Sequence, residues 1–326
     1  MTVAPNGDVF LADSAADRIM LLRDADGDGT AELVRVFAAG FDGPHGLAIR
    51  GDYLYIADTR AVWRLAYRSG QMRSSAAPKR LTKPGALGDP QGHWTRNIVF
   101  SPDGRRFFVA IGSRANLAEE APPRATVQMF GADGSGQRTF ASGLRNPVGI
   151  AFYPGTADLY VVVNERDGMG DGLVPDFLTR IREGEFYGWP YAYIGRNPQP
   201  GYAKRRPDLV RRSRVPDLLF ASHSAPLGLV FYSGTQFPAR YRGGAFVAFH
   251  GSGNSSKPTG YKVVFVPFKN RRPAGHYENF ATGFWAAGAR KAKVWGRPAG
   301  LAVTRDGGLL VADDTGGAVW SIRYKR

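Results

Sequence analysis

Cysteine is absent from the chain, which has 326 residues. Disulfide bonds, thiolate metal ligands and thiol catalysis are therefore excluded, because each needs a cysteine sulfur. Long apolar runs are absent as well: no stretch reaches the roughly 18 residues that a membrane-spanning helix requires, so we expect no membrane span. No signal peptide is visible either, since Met1 to Gly7 lead directly into a strand pattern.

Acidic residues are few relative to basic ones, with 28 Asp and Glu against 43 Lys and Arg, and the formal net charge is +15. Such a charge suits nucleic acid, an anionic surface or a small acidic ligand. Arginines are spread along the whole chain, and the dense basic run at 204–214 lacks the interleaved aromatic residues of a nucleic-acid interface. The distribution therefore favours a small acidic ligand and predicts no nucleic-acid partner.

A repeated strand pattern dominates what is present. Runs of β-branched and aromatic residues, separated by turn residues such as Asn-Gly and Asp-Gly, return six times, starting at Thr2, Gly46, Asn97, Val148, Leu227 and Gly300. The copies lie about 45 to 80 residues apart, which matches the blades of a propeller better than the strands of a sandwich. We predict an all-β fold, a six-bladed β-propeller formed as a single domain by residues 1–326. A segment at about 168–216 is interpreted as an insertion, because it is too long for an ordinary connection.

The first and last copies differ at their outer end. After three strands the first copy continues with LVRVFAAGF (33–41), an apparent fourth strand, whereas the last copy ends without one. An unpaired edge strand exposes backbone donors and acceptors. We therefore expect the last blade to be incomplete because an N-terminal strand that would complete it is missing. A last blade with only three strands is the alternative.

Carboxylates alternate in the segment DADGDGTAE (24–32), at Asp24, Asp26 and Asp28. Alternation lets one tight turn direct several oxygens at a hard cation, so these residues form a possible second calcium site. An EF-hand loop counted from Asp24 needs a glutamate at its twelfth position, which is Arg35 here. A solvated loop between strands is the competing interpretation.

Polar residues gather immediately before the first strand of several copies. Strand starts meet at one end of a propeller channel, and such rims carry sites more often than strand middles do. The residues are His45, His93, Arg145, Asn146, His223 and Arg297. Guanidinium groups bind carboxylates in a bidentate manner, and histidine acts as a base near neutral pH, so this ring suits a flat, acidic ligand.

Ordered motifs along nearly the whole chain resemble those of one family. They include GHWTRNIVFSPDG (92–104), GLRNPVGIAFYPGT (143–156), NERDGMGDGLVPDFLT (164–179), FYGWPYAYIG (186–195) and WGRPAGLAV (295–303). The chain is thereby similar to the soluble quinoprotein sugar dehydrogenases, in the branch of sorbosone dehydrogenase and aldose dehydrogenase. The combination and order of these motifs make the resemblance specific, although each motif alone is weak evidence.

The resemblance implies a function for the predicted channel. It implies a propeller that binds pyrroloquinoline quinone (PQQ) with calcium, is periplasmic or secreted, and oxidises an aldose or related sugar at its anomeric carbon, with an unknown electron acceptor. His93 corresponds to the catalytic base. The residues that correspond to cofactor contacts are His45, Arg145, Asn146 and Arg297. The backbone of Arg166, Asp167 and Gly168 corresponds to the segment that holds calcium.

The chain departs from the family pattern at three places. Where the family commonly reads HGSWNR, residues 250–255 read HGSGNS, which leaves Asn254 as a candidate cofactor contact. Lys257 is the best counterpart of a family lysine that contacts the quinone. Ser113 stands where the glucose enzyme has an aspartate that orients the catalytic histidine, so the sequence leaves open what fixes the tautomer of His93.

Two other functions remain open at this point. The replaced tryptophan and arginine are compatible with a catalytically silent propeller that binds carbohydrate or protein at its channel mouth. Six-bladed propellers also host calcium-dependent lactonases, but that chemistry needs several acidic and asparagine side chains around one axial metal, whereas the rim here is mainly His and Arg.

Overall fold

Each of the six sequence repeats forms one antiparallel sheet, and the sheets are arranged as the blades of a propeller. The structure, a computed structural model, describes residues 1–325. The prediction of an all-β, six-bladed propeller is confirmed. In blades 2 to 5 the second strand is buried on both faces because each blade packs between two others, which explains continuous apolar runs such as RFFVAI (106–111) and LYVVVN (159–164).

The strands of each blade are numbered outward from the hub. Blade 1 consists of Thr2–Val3, Val9–Asp13, Arg18–Arg23 and Leu33–Ala39, blade 2 of Gly46–Arg50, Tyr53–Ala57, Val62–Ala66 and Lys79–Arg80, and blade 3 of Arg96–Phe100, Arg106–Ile111, Thr126–Gly131 and Arg138–Ser142. Blade 4 consists of Asn146–Phe152, Leu159–Asn164, Phe177–Ile181 and Leu218–Leu219, blade 5 of Pro226–Phe231, Ala245–Phe249, Lys262–Val266 and Glu278–Ala281, and blade 6 of Pro298–Val303, Leu309–Asp313 and Ala318–Ile322. Blade 6 thus has three strands within residues 1–325, as expected from the last repeat.

Smaller elements decorate the blades. Glu185–Phe186 adds a parallel fifth strand to the outer edge of blade 3. Three short hairpins pair Ala192–Tyr193 with Asn197–Pro198, Phe268–Lys269 with Arg272–Pro273, and Trp285–Ala287 with Lys293–Val294. The helical segments are the α-helix Pro207–Arg212 and the 3₁₀ turns Ser14–Ala16, Ala203–Arg205 and Ala239–Tyr241. Within residues 1–325, no helix has the length and apolar character needed to cross a membrane.

The segment at about 168–216 is not a single excursion from the propeller. It contains the third strand of blade 4, Phe177–Ile181, and the strand added to blade 3. Its aromatic residues pack internally: Tyr187 and Trp189 are buried, and Trp189 Nε1 donates a hydrogen bond to the Asn116 carbonyl at 3.1 Å. These two rings therefore contribute to packing rather than to an exposed stacking surface.

Inner strands close the ring around a narrow hub. Each inner strand contacts the next one around the ring, and the inner strands of blades 6 and 1 complete the circle. Glycines permit this approach. A Cβ on Gly149 would lie 2.8 Å from the Leu227 carbonyl oxygen, and a Cβ on Gly228 would lie 2.6 Å from the Ala299 carbonyl oxygen. The start of every inner strand is thereby brought to the same end of the channel.

The first prediction tests this constraint. We expect Gly228→Ala to lower the free energy of unfolding by about 1–3 kcal/mol, because the new methyl group would lie 2.6 Å from the backbone carbonyl oxygen of Ala299 in blade 6. Gly172→Ala is the matched control, since a Cβ there has no heavy atom within 4 Å. Urea unfolding of both variants checks this; equal stabilities would contradict it.

Candidate functional site

Two side chains meet at the starts of the inner strands of blades 3 and 4. His93 precedes the first of these strands, Asn146 begins the second, and Gly112 lies between them. A Cβ on Gly112 would lie 2.5 Å from the His93 Cβ and would also clash with the Asn146 side-chain oxygen. The absence of a side chain at Gly112 therefore allows His93 and Asn146 to approach each other.

Ser113 fixes the orientation and tautomer of His93. Nδ1 of His93 lies 2.7 Å from the Ser113 carbonyl oxygen and 3.1 Å from the Ser113 hydroxyl. A carbonyl only accepts hydrogen bonds, so Nδ1 carries the proton and Nε2 is left as the basic nitrogen. Within residues 1–325, Nε2 has no hydrogen-bond partner. The sequence left open what fixes the tautomer of His93. In the structure the backbone carbonyl of Ser113 does so, in the place of an aspartate carboxylate.

Burial keeps His93 neutral. Desolvation is the main cause that lowers the pKa of His93 to about 4, and the positive charge of Arg145 lowers it further. The neighbouring His45 behaves in the same way, with burial lowering its pKa to about 3. At neutral pH both imidazoles are uncharged, and His93 is in the form that accepts a proton.

Arg145 organises the loops around the site. Its Nε donates to the Asn116 carbonyl at 3.1 Å, Nη1 donates to the Glu165 carbonyl at 2.9 Å, and Nη2 donates to Asn116 Oδ1 at 2.9 Å. The carboxylate of Asp167 lies 3.7 Å from Nη2. Most guanidinium donors are therefore satisfied by the protein, so Arg145 supplies positive charge and fixes two loops at the rim.

Asp167 connects this network to blade 5. Its carboxylate lies 3.0 Å from Nδ1 of His223, and Nε2 of His223 lies 3.1 Å from the Gly170 carbonyl. His223 has a left-handed backbone with φ of 63°, a conformation that costs energy for a residue other than glycine. The rim histidine of blade 5 is therefore a structural contact of the 167–170 turn.

The predicted calcium segment is already hydrogen bonded. The Asp167 carbonyl accepts hydrogen bonds from Asn116 Nδ2 at 3.1 Å and from Arg166 Nη2 at 2.9 Å. The positively charged guanidinium of Arg166 therefore lies beside this carbonyl, and a cation bound to the carbonyl would repel the guanidinium. In this arrangement the Asp167 carbonyl is occupied, so calcium binding at that oxygen requires Arg166 to move away, and the calcium role of the backbone of Arg166, Asp167 and Gly168 stays a prediction.

Two buried polar atoms at the rim lack partners. Asn146 Oδ1 and His45 Nδ1 are both inaccessible to solvent and have no hydrogen-bond partner within residues 1–325. The ring of His45 also packs edge-on against Trp94, with 5.7 Å between the ring centroids. A buried acceptor without a donor is costly, so such atoms are typical of positions that a ligand or an ordered water satisfies.

Arg297 lies at the start of the inner strand of blade 6. Its Nε donates to the His250 carbonyl at 3.0 Å and Nη2 donates to the Gly251 carbonyl, whereas Nη1 has no hydrogen bond within residues 1–325. Arg297 lines a cavity of about 390 Å³ together with Tyr261, Arg290 and Lys291. Positive charge therefore faces this cavity from two sides.

Asn254 and Lys257 lie apart from this network. Both are exposed in the loop between Ser252 and Thr259, and within the described residues their side chains make no hydrogen bond. Ser256 in the same loop bonds the carboxylate of Asp171, donating its backbone N–H at 2.9 Å. The loop is thereby fixed to the 168–172 turn, but no contact joins Asn254 or Lys257 to His93. Their cofactor contacts stay predictions.

The acidic loop of blade 1 lies at the opposite end of the channel, because it joins the third and fourth strands of an antiparallel sheet. Ligand atoms of Asp24, Asp26, Asp28 and Glu32 all lie within 4.8 Å of one another. Glu32 was missed by the sequence reasoning, which tested only Arg35 as the closing residue. Backbone N–H groups already bond several of these oxygens: Gly27 donates to Asp24 at 2.7 Å and Ala25 donates to Glu32 at 2.6 Å. A second calcium at this loop stays a prediction.

Two buried carboxyl groups beneath the rim also escaped the sequence reasoning. Asp176 accepts hydrogen bonds from the backbone N–H groups of Glu165 and Ala225, both at 2.8 Å. Burial raises the pKa of Glu165 to about 7, and burial likewise raises the pKa of Asp176 to about 7. The burial that raises these two pKa values depends on contacts between strands that are distant in sequence, so no local motif indicates the raised values.

Sequence profiles of two families match the chain. The TrAA12-like profile matches residues 1–175 and 208–325, and the profile of the glucose/sorbosone dehydrogenases matches residues 126–251. An uncharacterized protein of Borreliella burgdorferi is 31% identical over 239 residues, which cover 72% of this chain and 62% of that protein. The PQQ-dependent pyranose dehydrogenase of Coprinopsis cinerea is 33% identical over 132 residues, which cover 33% of this chain and 16% of that enzyme. The chain spans less than two thirds of either relative.

Solved structures share the fold. The PQQ domain of the Coprinopsis cinerea pyranose dehydrogenase, in its holo form, superposes with a TM-score of 0.81 at 21% identity and covers 99% of this chain and 91% of that one. A calcium structure of a Trichoderma reesei carbohydrate-active enzyme of family AA12 gives 0.81 at 19% identity, with 98% and 90% covered. The PQQ-bound aldose sugar dehydrogenase of Streptomyces coelicolor gives 0.70 at 18% identity, with 99% and 92% covered.

The buried carboxyl group of Glu165 generates a prediction on pH dependence. The folded pKa of about 7 lies above the value of about 4.3 in an unfolded chain, so the free energy of unfolding falls as the pH rises between these values and levels off above pH 7. The side chain of Glu165→Gln stays neutral at every pH. Between pH 5 and pH 8 we therefore expect the free energy of unfolding of this variant to fall by roughly 2 kcal/mol less than that of the wild type.

Urea unfolding at a series of pH values measures this difference. Glu183→Gln is the control, because the Glu183 side chain is 50% exposed beside Arg138. Removing the charge of Glu183 leaves the buried carboxyl groups of Glu165 and Asp176 in place. Parallel pH profiles for the wild type and Glu165→Gln would contradict the expectation.

Proposed function

Because this chain belongs to the TrAA12-like family, we propose that it oxidises a sugar with pyrroloquinoline quinone as its cofactor, removing hydrogen from the anomeric carbon of an aldose or a related sugar. The observation that carries the proposal is the pair of side chains across Gly112: a neutral His93 whose Nε2 is unpaired, and an Asn146 whose buried oxygen has no partner. One atom is ready to accept a proton and the other to accept a hydrogen bond from a bound group. The relatives named as PQQ-dependent dehydrogenases support the same assignment.

The rim residues fit a flat, acidic cofactor. PQQ carries several carboxylates, which suit the positive charge of Arg145 and the free Nη1 of Arg297. The unpaired Asn146 Oδ1 and His45 Nδ1 supply polar atoms without protein partners. These four residues would hold PQQ, which when bound supplies an acceptor for the two electrons removed from the sugar.

His93 acts as the general base. Its Nδ1–H is held by Ser113, so the ring presents Nε2 to the channel mouth in one fixed orientation. Nε2 accepts the proton of the hydroxyl on the anomeric carbon as this carbon is oxidised. The nearby positive charge of Arg145 then favours the return of His93 to its neutral form. The low pKa makes His93 a weak base that is available across the neutral range.

The proposed proton transfer to His93 assigns no role to calcium. The resemblance implies a calcium ion beside the cofactor, and a calcium structure exists for a similar protein. In this chain the Asp167 carbonyl accepts hydrogen bonds from Asn116 and Arg166, so calcium binding at that oxygen requires Arg166 to move away. Calcium binding and a periplasmic or secreted location stay predictions that rest on the resemblance.

Activity provides the first test. We expect the protein, mixed with PQQ and with calcium present or absent, to reduce an artificial redox dye when an aldose is added, and His93→Gln to lower kcat by about 10²–10⁴-fold. An absorbance titration of PQQ should give the same affinity for His93→Gln within about threefold, because His93 is assigned to proton transfer. His276→Gln, at an exposed position, is the control.

The outcomes separate the candidate functions. Full turnover by His93→Gln would remove the base from its role. PQQ binding without dye reduction across a panel of aldoses would favour the silent propeller, and hydrolysis of a lactone in the absence of PQQ would favour the lactonase.

Asn146→Leu tests the orphan acceptor by two opposite effects. Leucine has nearly the shape of asparagine without its polar atoms, so we expect the apo protein to gain about 1 kcal/mol in stability as a buried unsatisfied group is removed. The affinity for PQQ should fall about tenfold. Thermal unfolding and the absorbance titration measure the two effects, and an unchanged affinity would show that Asn146 does not contact the cofactor.

A further inference from the structure

Trp94 differs from the other tryptophans in its hydrogen bonding. The chain has six tryptophans. In five of them the indole N–H donates a hydrogen bond to a protein oxygen, and these are Trp63, Trp189, Trp285, Trp295 and Trp320. Within residues 1–325 the indole N–H of Trp94 has no acceptor, and the residue is 40% exposed. Trp94 therefore offers both an aromatic surface and an unused donor.

Trp94 lies at the same end of the channel as the candidate site. It follows His93 directly, so the two Cα atoms are about 3.8 Å apart, and the inner strand of blade 3 begins at Arg96. The indole packs against the ring of His45, which precedes the inner strand of blade 2. Asn146 approaches His93 from blade 4. His93 is thus flanked by an aromatic ring toward blade 2 and by a polar side chain toward blade 4.

The surroundings of the indole contain small residues and unsatisfied hydroxyl groups. A Cβ built on Gly43 would lie 3.0 Å from the methyl group of Thr59 and 3.9 Å from Cε3 of Trp94. Thr59 is 5% exposed, and its hydroxyl has no hydrogen-bond partner within residues 1–325. The hydroxyl of Thr95 is buried without a partner in the same part of the chain. Such groups are typical of positions beside a bound polar molecule or an ordered water.

The charge around Trp94 suits a neutral ligand better than an acidic one. The carboxylate of Asp17 accepts the backbone N–H of Gly43 at 2.8 Å, and within the described residues no basic side chain pairs with it. The guanidinium groups suited to an acidic cofactor belong instead to Arg145 and Arg297, at the inner strands of blades 4 and 6. A pyranose is neutral, with C–H groups on the faces of its ring and hydroxyls at its edge. A flat indole with a free N–H complements both.

We propose that Trp94 positions the sugar, with the indole face against the C–H groups of a pyranose ring and the indole N–H donating to one of its hydroxyls. This role rests on the proposed sugar oxidation, since it places the ring beside the base His93, and it narrows the substrate to sugars in the closed ring form. No bond forms or breaks at Trp94. Its contribution is therefore to sugar binding rather than to the chemical step.

A probe that cannot react separates this binding from turnover. 1,5-Anhydroglucitol has the pyranose ring of glucose without the anomeric hydroxyl, and the galactose and mannose counterparts extend the panel. Calorimetry, with and without PQQ, measures the affinity of the full chain for each compound. We expect saturable binding of at least one ring compound, about tenfold tighter than that of its open-chain alditol, which keeps the hydroxyls but has no ring face to stack.

Variants of Trp94 test the contact itself. Trp94→Leu removes the aromatic face, so it should weaken the ring compound about tenfold and raise the KM for an aldose by a similar factor, while kcat and the affinity for PQQ stay within about threefold. Trp94→Phe keeps a ring and should recover most of the affinity. Trp285→Leu, at a residue that is 44% exposed, is the control and should leave binding unchanged.

Oxidation of the wild type tests the same contact should Trp94→Leu fail to fold. N-Bromosuccinimide oxidises accessible indoles, and mass spectrometry of peptides gives the rate at each tryptophan. At a probe concentration of roughly ten times Kd, the bound ring compound should slow the oxidation of Trp94 about tenfold. The rate at Trp285 is the internal control and should not change.

Three results would overturn the proposal. The first is the absence of saturable binding by all three ring compounds. The second is equal binding by the wild type and Trp94→Leu, or oxidation of Trp94 that the bound compound does not slow. The third is a Trp94→Leu variant that binds PQQ more weakly and the ring compound equally well, which would assign the indole to the cofactor. Probe binding does not need turnover, so binding without dye reduction would reject the proposed activity and leave the sugar contact in place.

Discussion

Close approach of the inner strands at the hub is the constraint on which the rest of the structure depends. Gly149 and Gly228 leave no space for a side chain between blades, so the inner strands meet backbone to backbone. This contact brings the residues that precede the strands to one end of the channel. His93, Asn146 and Arg297 are far apart in the sequence and owe their common location to this geometry.

Burial of polar groups gives the site its chemical character. The buried groups at the rim include the guanidinium of Arg145, the carboxyl groups of Glu165 and Asp176 and the imidazoles of His45 and His93, and most of them are hydrogen bonded to backbone atoms. Desolvation lowers the pKa of His93 to about 4 and raises the pKa of Glu165 to about 7, so near neutral pH His93 is uncharged and Glu165 is partly protonated. The positive charge of Arg145 is opposed by the Asp167 carboxylate, which lies 3.7 Å from Nη2.

The fold was predictable because its signals are local and repeated: turn residues, strand runs and spacing recur in each blade. The resemblance to the soluble quinoprotein sugar dehydrogenases is confirmed by the matching profile and the named relatives. The sequence also predicted the proximity of His93 and Asn146, through their shared place before inner strands. It did not predict the hydrogen bond from His93 to the Ser113 carbonyl, the role of Asn116, or the burial of Glu165 and Asp176. Those features depend on which side chains face each other across blades, and a linear pattern carries no such information.

Arg323 forms ion pairs on both sides of the seam between blades 6 and 1, with Asp306 at 3.2 Å and with Asp24 at 3.7 Å. Elsewhere neighbouring blades adhere through apolar cores, whose strength salt hardly diminishes. Dissolved ions screen this one joint, since the Debye length shrinks to about 3 Å in molar salt. Salt therefore weakens the attraction across this joint more than it weakens the five junctions that apolar clusters fill.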